Sequence, residues 1–357
     1  MKVSILGNGL TSLTLAKMLV NEGIKVDIFS DGKKHKTNNT QTLGISKSNI
    51  DFFNDKILNI KKFLWEIHRI EIYNDNFKNG KILNFEKKKE VLFSIIRNFD
   101  LYNSLFTALK KNKLITFKKN INYLSLLKKD YNLIFNCDYN HPITKNFFYK
   151  RIEKNYESFA HVTTFKHKAI FKNHIASQIF TKKGPLAFLP LSSVETSVVY
   201  SAKGHKDINL SAIIKKYNLK YKILKINKSI NFPLKSSNLR SYYHDNIIAF
   251  GDLVHKLHPL AGQGFNMTIR DIKEINNLII FKKEHGLDLD VSICSDFEKK
   301  TKNNNYFFSQ GIDLIYEFFN FENKIDNSTL RKSIKFFGKN KIINNFFTKF
   351  ADNGLIN

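Results

Sequence analysis

The stretch KVSILGNGLTSLTLAKMLVNEGIKVDIFS, residues 2–30, decides the fold. A short apolar run at residues 2–6 leads into a glycine-containing turn, and the following residues repeat apolar side chains at helical spacing until Gly23. A second strand-like run occupies residues 24–29. Strand, glycine turn, helix and strand within about 30 residues predict a βαβ unit that binds a dinucleotide.

The turn supplies backbone groups suited to a diphosphate. Gly7 permits the tight turn, and Gly9 lets the backbone approach the ligand closely. Leu10 and Thr11 open the helix, whose N-terminus offers free N–H groups and a favourable dipole. Ser12 stands where the usual pattern has a third glycine, and its small side chain is compatible with close packing of helix on strand.

The end of the second strand departs from the usual pattern. An acidic residue is expected there to bind a ribose hydroxyl, but the chain has Ser30, with Asp31 one step later. A βαβ unit that binds no nucleotide is therefore the alternative interpretation of this segment.

A second glycine-rich stretch, GDLVHKLHPLAGQGFNM at residues 251–267, indicates a ligand at the other end of the chain. It follows the apolar run NIIAFGD, which places Asp252 at a strand end. Pro259 interrupts local structure, and a turn at residues 261–264 leads into a helix-like pattern. Helix N-terminal N–H groups there would face a group that is or becomes negative, and a reduced flavin fits this description.

The residues just described resemble those of the single-component FAD-dependent aromatic hydroxylases, the p-hydroxybenzoate hydroxylase-like family. GDLVHKLHPLAGQGFNMTIRD is similar to their GD-x-x-H-x-x-H-P-x-x-G-Q-G-x-N segment, particularly that of the ubiquinone-biosynthesis monooxygenases. Further matches run in order along nearly the whole chain: TLGISKSNIDFF, Asn98 with Leu101, YNLIFNCD, GPLAFLPL, FPLKSSN, DFEKKTKNNN and ADNGL.

The resemblance implies a set of FAD-contacting residues and one residue on the substrate side. The FAD set is Gly7, Gly9, Leu10, Thr11, Ser12, Ser30, Asp31, Gln41, Asn98, Asp252, Pro259, Gly262, Gln263, Gly264 and Asn266. Pro190 matches the part of the middle domain whose sheet covers the flavin. No side chain is assigned a certain catalytic role, and no metal is expected.

The chemistry implied by the resemblance is flavin-mediated hydroxylation. NADH or NADPH reduces the flavin, O2 adds to give a C4a-hydroperoxide, and one oxygen passes to the ring of a polyprenyl phenol lipid. The protein orients the ring and excludes water. A quinone-biosynthesis protein assembly is a further expected partner.

Several departures from the family pattern leave two alternatives open. Tyr139 follows Asp138 where the family has glycine, Lys145 replaces an arginine, Gln41 replaces an arginine, and Arg97 replaces an acidic residue. These changes allow a catalytically weakened or non-catalytic member of a quinone-biosynthesis assembly. A flavin reductase acting on a lipid is the second alternative.

Composition indicates the partners and the cellular compartment to expect. The formal net charge of +27 comes with lysines spread in short groups and no compact nucleic-acid-binding motif, so we expect no nucleic-acid partner. Cys137 and Cys294 are the only cysteines, which fits a reducing compartment. No apolar run reaches the roughly 18 residues of a bilayer span. We expect a cytoplasmic protein, with peripheral contact to an inner membrane.

The C-terminal run offers two interpretations. Ile343, Phe346, Phe347 and Phe350 fall at helical spacing among lysines. Such a basic amphipathic helix could lie on an anionic membrane, or its apolar face could pack on the flavin domain.

The expected architecture is α/β, with a Rossmann-like FAD domain built on a parallel sheet and an inserted, mainly antiparallel substrate domain, followed by C-terminal helices. The FAD domain comprises residues 1–63, 93–159 and 237–322. The substrate domain comprises 64–92 and 160–236, and 323–357 form a C-terminal helical segment.

Overall fold

The computed structural model describes residues 1–31, 39–75, 81, 83–86, 91–119, 126, 131–204, 206–218, 220–258 and 262–324. Within these residues the chain forms eighteen strands. They are β1 (Lys2–Leu6), β2 (Lys25–Ser30), β3 (Thr42–Ser46), β4 (Trp65–Ile67), β5 (Arg69–Asn74), β6 (Leu83–Glu86), β7 (Phe93–Arg97), β8 (Ile115–Lys119), β9 (Leu133–Asn136), β10 (Arg151–His167), β11 (Ile175–Thr181), β12 (Gly184–Pro190), β13 (Glu195–Lys203), β14 (Ile223–Ile226), β15 (Ile230–Leu239), β16 (Tyr243–His244), β17 (Ile247–Ala249) and β18 (His255–Lys256).

Seven α-helices connect these strands within the same residues. They are α1 (Leu10–Asn21), α2 (Lys47–Phe52), α3 (Asn98–Lys110), α4 (Pro142–Phe147), α5 (Leu210–Tyr217), α6 (Gln263–Glu284) and α7 (Ser292–Lys324).

The first sheet is the nucleotide-binding type predicted from residues 2–30. Its strand order is β16-β17-β9-β1-β2-β8, and every pair is parallel except β16 with β17. The central strands are apolar on both faces, as a parallel sheet covered by helices requires. Buried side chains of α1, α3 and α6 complete this core. The order of the strands brings the carboxyl ends of β1, β2, β9 and β17 to one edge.

The second sheet is large and mainly antiparallel. Its order is β18-β15-β10-β13-β12-β11-β5-β6, with β14 also pairing with β10, and only β11 with β5 is parallel. One face packs on α5 through a second apolar core. A separate three-stranded antiparallel sheet has the order β3-β7-β4. The predicted fold class is confirmed.

The two positions at which the sequence suggested that the chain changes domain, 159/160 and 236/237, both fall inside strands of the large sheet. β10 runs through 159/160 and β15 runs through 236/237, and the two strands pair with each other on both sides of these positions. The domain ranges stay a proposal.

Candidate functional site

The first loop is shaped to leave its backbone open. Gly7 has φ +100°, and its N–H donates to the Phe29 carbonyl over 2.8 Å, which ties the turn to β2. Gly9 caps α1 without a side-chain hydrogen bond, and a Cβ built on it would meet nothing within 4 Å. The N-terminus of α1 therefore points its free N–H groups into open space, as a diphosphate site requires.

Ser12 fits the position of the missing third glycine. It is buried, and its Oγ lies 3.4 Å from a Cβ built on Gly7. A hydroxymethyl group is thus accommodated without separating α1 from β1. Leu10 packs against the core, and its carbonyl accepts a hydrogen bond from Thr14 Oγ1 over 2.7 Å.

The second loop closes directly on the first. Gly251 has φ +68°, and a Cβ there would lie 2.6 Å from Thr11 Cγ2 and 2.9 Å from Thr11 Oγ1. Residues 240 positions apart in sequence are thus in contact at the carboxyl edge of the parallel sheet. The convergence of these two loops is the central prediction of the sequence, and the structure places them together.

Asp252 follows Gly251 in the second loop. It is solvent-exposed, yet the surrounding protein desolvates its carboxyl enough to raise its pKa, against the opposing effect of His255 and Lys256. Cys137 behaves in the same way: it is partly exposed, while desolvation raises the pKa of its thiol to about 12, and the carboxylates of Asp138 and Asp252 act in the same direction. The side chain of Cys137 packs against the core of the parallel sheet.

The loop before α6 docks on β3. Gly262, with φ +65°, caps α6, and a Cβ there would lie 3.3 Å from the Gly44 nitrogen. Hydrogen bonds of the Asn266 side chain stabilise this contact. Its Oδ1 accepts from the Ser46 N–H at 3.0 Å and from Asn49 Nδ2 at 2.9 Å, and its Nδ2 donates to the Gly44 carbonyl at 2.8 Å.

Gly44, Ser46 and Asn49 were not predicted as site residues. They lie in TLGISKSNIDFF, which the resemblance singled out without assigning a role to any of its residues. The usable indication was the glycine in an otherwise strand-like run, because such a glycine often marks the close approach of another backbone.

Amide oxygens of two predicted residues have no partner among the described residues. Gln263 is 9% exposed and its Oε1 has no hydrogen bond, and the same holds for Oδ1 of Asn98 at the first position of α3. Native structures rarely leave buried polar atoms unsatisfied. Both were predicted as ligand contacts, and both are free to accept a hydrogen bond from a bound molecule.

The remaining predicted residues have the following surroundings. Ser30 ends β2, beside Lys119 in β8, and Asp31 is exposed immediately after it. The Gln41 carbonyl accepts the Asn98 N–H over 3.0 Å, so these two predicted positions are neighbours. A Cβ built on Gly264, in the first turn of α6, would meet nothing within 4 Å. Pro259 lies outside the described residues.

Pro190 lies where the large sheet meets the three-stranded sheet. It is buried at the end of β12, paired with Thr196. One residue further along β13, Ser197 Oγ lies 3.0 Å from Thr42 Oγ1 in β3. Its neighbour Leu191 belongs to an apolar cluster with side chains of β4 and β7. Pro190 is therefore at the seam between the sheets, and its position on the substrate side stays a prediction.

The departure at Arg97 has a local partner. Its Nη2 lies 2.5 Å from Glu195 Oε2, at the start of β13. The charge that replaces the family's acidic residue is thus neutralised across the same seam. Tyr139, in contrast, is half exposed and stacks under the Arg151 guanidinium at 4.7 Å, and Lys145 is exposed.

Two histidines of the second loop are buried. His255 Nε2 lies 2.5 Å from Asp271 Oδ2. The other carboxylate oxygen, Asp271 Oδ1, accepts a hydrogen bond from Asn305 Nδ2. His258 packs between the rings of Tyr156 and Tyr316, at centroid distances of 4.8 and 4.3 Å. Both side chains are thus shielded from solvent, and Asp271 fixes the orientation of the His255 ring. The described residues contain no group of three metal-ligating side chains.

Comparison with solved structures identifies the fold. The chain has the fold of the FAD-dependent monooxygenases. p-Nitrophenol 4-monooxygenase PnpA of Pseudomonas putida aligns with a TM-score of 0.77 and 11% identity, covering 99% of this chain and 98% of that chain. HpxO of Klebsiella pneumoniae, solved with FAD and uric acid, aligns with a TM-score of 0.75 and 11% identity, covering 98% and 97%.

Sequence comparison narrows the resemblance to ubiquinone-biosynthesis monooxygenases, as the motifs predicted. The mitochondrial enzyme of Schizosaccharomyces pombe is 24% identical over 250 residues, which is 56% of this chain and 52% of the relative. The human enzyme is 25% identical over 212 residues, covering 46% and 45%. The 3-demethoxyubiquinol 3-hydroxylase of Escherichia coli is 26% identical over 149 residues, covering 39% and 38%.

The matched region therefore spans about half the length of these relatives or less. No protein-family model matches the chain. No helix among the described residues has the length and apolarity to cross a membrane.

Proposed function

We propose that the chain is an FAD-dependent, NAD(P)H-consuming monooxygenase that hydroxylates the aromatic ring of a polyprenylated phenol in ubiquinone biosynthesis. The observation that carries the proposal is the contact between Thr11 and Gly251, which joins the two glycine loops at one sheet edge. The names of the curated relatives support the substrate class.

The residues at this edge fit FAD. Gly9 leaves room in front of the α1 N-terminus for a diphosphate. Asp252, which is exposed, would accept hydrogen bonds from hydroxyl groups of the ribityl chain. The unpartnered oxygens of Asn98 and Gln263 would accept from N–H or O–H groups of the cofactor.

Bound FAD would supply electron storage and oxygen activation. The protein itself would orient the substrate ring and exclude water from it. The α6 N-terminus, held on β3 by Asn266, offers N–H groups and a positive dipole end to negative charge. Beside Pro190, Leu191 belongs to an apolar cluster, and this part of the seam would hold a phenol ring and keep water away.

The test has two stages. Protein purified with added FAD should be yellow, with bound flavin close to one per chain. Substrate-dependent NAD(P)H oxidation should then incorporate oxygen-18 from labelled O2 into a prenylated phenol. Colourless protein would contradict flavin binding, whereas NAD(P)H oxidation without label in the product would favour the reductase alternative.

A non-catalytic role in a quinone-biosynthesis assembly is the other candidate, and the exposed Tyr139 in place of a family glycine favours it. Deleting the gene in its host and analysing the accumulated quinone intermediates by mass spectrometry separates the two. Accumulation of one unhydroxylated intermediate that only active protein relieves would support the enzyme. Relief by a protein that binds no flavin would support the scaffold.

Peripheral membrane association through the C-terminal run stays part of the proposal. Residues 325–357 lie outside the described residues. Liposome flotation with and without the residues beyond Asn340 tests it, and equal flotation of both forms would remove the C-terminal run as the membrane contact.

A further inference from the structure

Two turns at one end of the large sheet and the neighbouring strand β14 carry exposed apolar side chains. Phe171, 92% exposed, is the most exposed large hydrophobic residue of the described chain. Val194, 44% exposed, lies on the turn between β12 and β13, and Leu224, 65% exposed, lies in β14, which pairs with β10. Scattered single exposures of this kind are ordinary, but a contiguous group marks an interaction surface.

Backbone hydrogen bonds bring these segments together. The His167 N–H donates to the Val194 carbonyl at 2.9 Å, and the Ile170 N–H donates to the Ser193 carbonyl at 2.8 Å. The Lys168 N–H donates to the Lys222 carbonyl at 3.0 Å. Residues 168–172, 192–194 and 222–225 thus form one continuous area, which we call the three-turn surface.

The three-turn surface is anchored from beneath. Asn173 is fully buried, and its Nδ2 donates to the Ser192 carbonyl at 2.8 Å. Its Oδ1 accepts from Tyr221 Oη at 3.2 Å, and its carbonyl accepts from Trp65 Nε1 at 2.7 Å. The turn that carries Phe171 is therefore held in place by hydrogen bonds. Because the turn is already ordered, binding through Phe171 does not require the loss of backbone entropy that ordering a free loop would.

The charge around the apolar tip is of one sign. No Asp or Glu occurs in residues 166–174, 191–194 or 220–228. Five exposed lysines surround the tip, and none of them has an ion-pair partner among the described residues: Lys166, Lys168, Lys172, Lys222 and Lys225. Among the adjoining carboxylates, that of Glu195 is paired with Arg97, and Glu66 lies in β4 beside His174.

We propose that the three-turn surface binds an anionic lipid bilayer. Lysines ringing an apolar tip match a surface whose phosphate headgroups lie above acyl chains. A nucleic acid would satisfy the lysines, but it offers no apolar environment for the aliphatic side chains of Val194 and Leu224. An acidic protein groove is less complementary to a tip that projects from these three segments.

Vesicle co-sedimentation of the full chain tests the surface. Binding should be stronger to phosphatidylcholine vesicles containing phosphatidylserine than to phosphatidylcholine alone. Phe171→Ser should lower the partition coefficient about tenfold, because it removes the deepest apolar insertion. Phe281→Ser, which removes a 52% exposed ring on α6, should leave binding unchanged.

The charge component has its own matched pair. Lys168→Glu with Lys222→Glu should weaken binding to the anionic vesicles by at least about tenfold. Lys110→Glu with Lys111→Glu, which alters two exposed lysines at the end of α3, gives the same net charge change elsewhere and should have a much smaller effect.

The fluorescence of Trp65 tests whether the three-turn surface is the part of the chain that contacts the bilayer. It is the only tryptophan of the chain and is hydrogen-bonded to Asn173, two residues from Phe171. Vesicles with brominated acyl chains should quench its fluorescence, and Phe171→Ser should abolish the quenching. Binding without quenching would mean that another segment contacts the bilayer, and it would overturn the proposal.

Two further results would also overturn it. One is equal vesicle binding by Phe171→Ser and Phe281→Ser. The other is absence of vesicle binding together with binding of a single-stranded oligonucleotide that Phe171→Ser weakens, which would assign the surface to nucleic acid. None of these readouts depends on flavin content, so they are separate from the test of hydroxylase activity.

Discussion

Two separate constraints require a glycine at position 251: the backbone conformation and the contact with the first loop. Its φ of +68° disfavours any side chain, and Thr11 occupies the space that a Cβ would need. Sequence alone could propose that a glycine there touches a ligand. That it also touches the first loop depends on which strands are neighbours in the sheet.

We expect Gly251→Ala to lower the free energy of unfolding by about 3 kcal/mol, because it combines left-handed strain with an overlap on Thr11. Bound flavin per chain should fall as well, since the loop must shift. Gly23→Ala is the matched control: φ is +75° but nothing lies within 4 Å. It should cost about 1 kcal/mol and leave flavin content unchanged. Urea denaturation and flavin absorbance measure the two effects, and equal losses in both variants would contradict the contact.

His258 is a second residue whose environment the sequence did not indicate. It is buried against two tyrosine rings, and neither ring nitrogen has a partner among the described residues. Burial lowers the pKa of its imidazole to about 3, and the positive charge of Lys154 contributes in the same direction. The folded protein therefore holds this ring neutral.

This fixes the sign of a pH effect. Between its ordinary pKa of about 6.5 and the folded value, His258 takes up a proton only in the unfolded chain. Stability should thus decline as pH falls below about 6.5, by up to about 1.4 kcal/mol per pH unit from this group. His258→Phe should remove that component, measured as the difference between denaturation curves at several pH values.

His68→Phe, which alters a more exposed ring, is the control for that experiment. If the acid dependence of the His258 variant matches that of the wild type, His258 is not the group that titrates on unfolding.

At the scale of elements, the contact between β3 and α6 determines where the second loop ends. Asn266 satisfies a backbone N–H, a side-chain amide and a backbone carbonyl around Gly44, while it is itself 1% exposed. The Asn266 side chain thus satisfies backbone groups of β3 that a neighbouring strand would otherwise pair with. Its side chain is structural, and it positions the helix N-terminus that is proposed to face the flavin.

We expect Asn266→Ala to lower the free energy of unfolding by about 2–4 kcal/mol, because three groups lose their partner in a buried place. Flavin affinity should fall with it, because α6 is no longer held on β3. Asn277→Ala, an exposed amide on the same helix, should change neither quantity appreciably. Thermal unfolding and flavin titration are the measurements, and normal flavin affinity in Asn266→Ala would contradict the positioning role.

At the scale of the whole molecule, the candidate site depends on several segments far apart in sequence. The early loop, the β3 segment, the start of α3 and the second loop meet along one sheet edge. A ligand that touches all of them would bind only the folded chain. Its binding energy should therefore appear directly as stability.

Excess FAD should raise the Tm of the wild-type chain by about 3 °C at a concentration near one hundred times Kd. Gly9→Val should fold with a Tm close to that of the wild-type apoprotein, since the space in front of Gly9 is open and its backbone is extended. FAD should not raise the Tm of this variant, because the valine fills the diphosphate position. Differential scanning fluorimetry with and without FAD decides, and equal shifts in both proteins would contradict this placement of the diphosphate.

Local patterns were sufficient to predict the parallel sheet, the α1 turn and the glycine loop before α6. Each depends on interactions within about 30 residues: apolar periodicity, a glycine at a turn and a helix start. The chain by itself therefore determined the fold class, and with the motif resemblance it determined which two loops to examine.

Only the tertiary structure decided the rest. The close packing of Thr11 against Gly251, the role of Gly44 and the neutralisation of Arg97 by Glu195 all join residues separated by many elements. The three-turn surface likewise assembles Phe171, Val194 and Leu224 from three segments of the chain. Such contacts depend on strand order and register, which a single sequence leaves open because many pairings bury the same apolar faces.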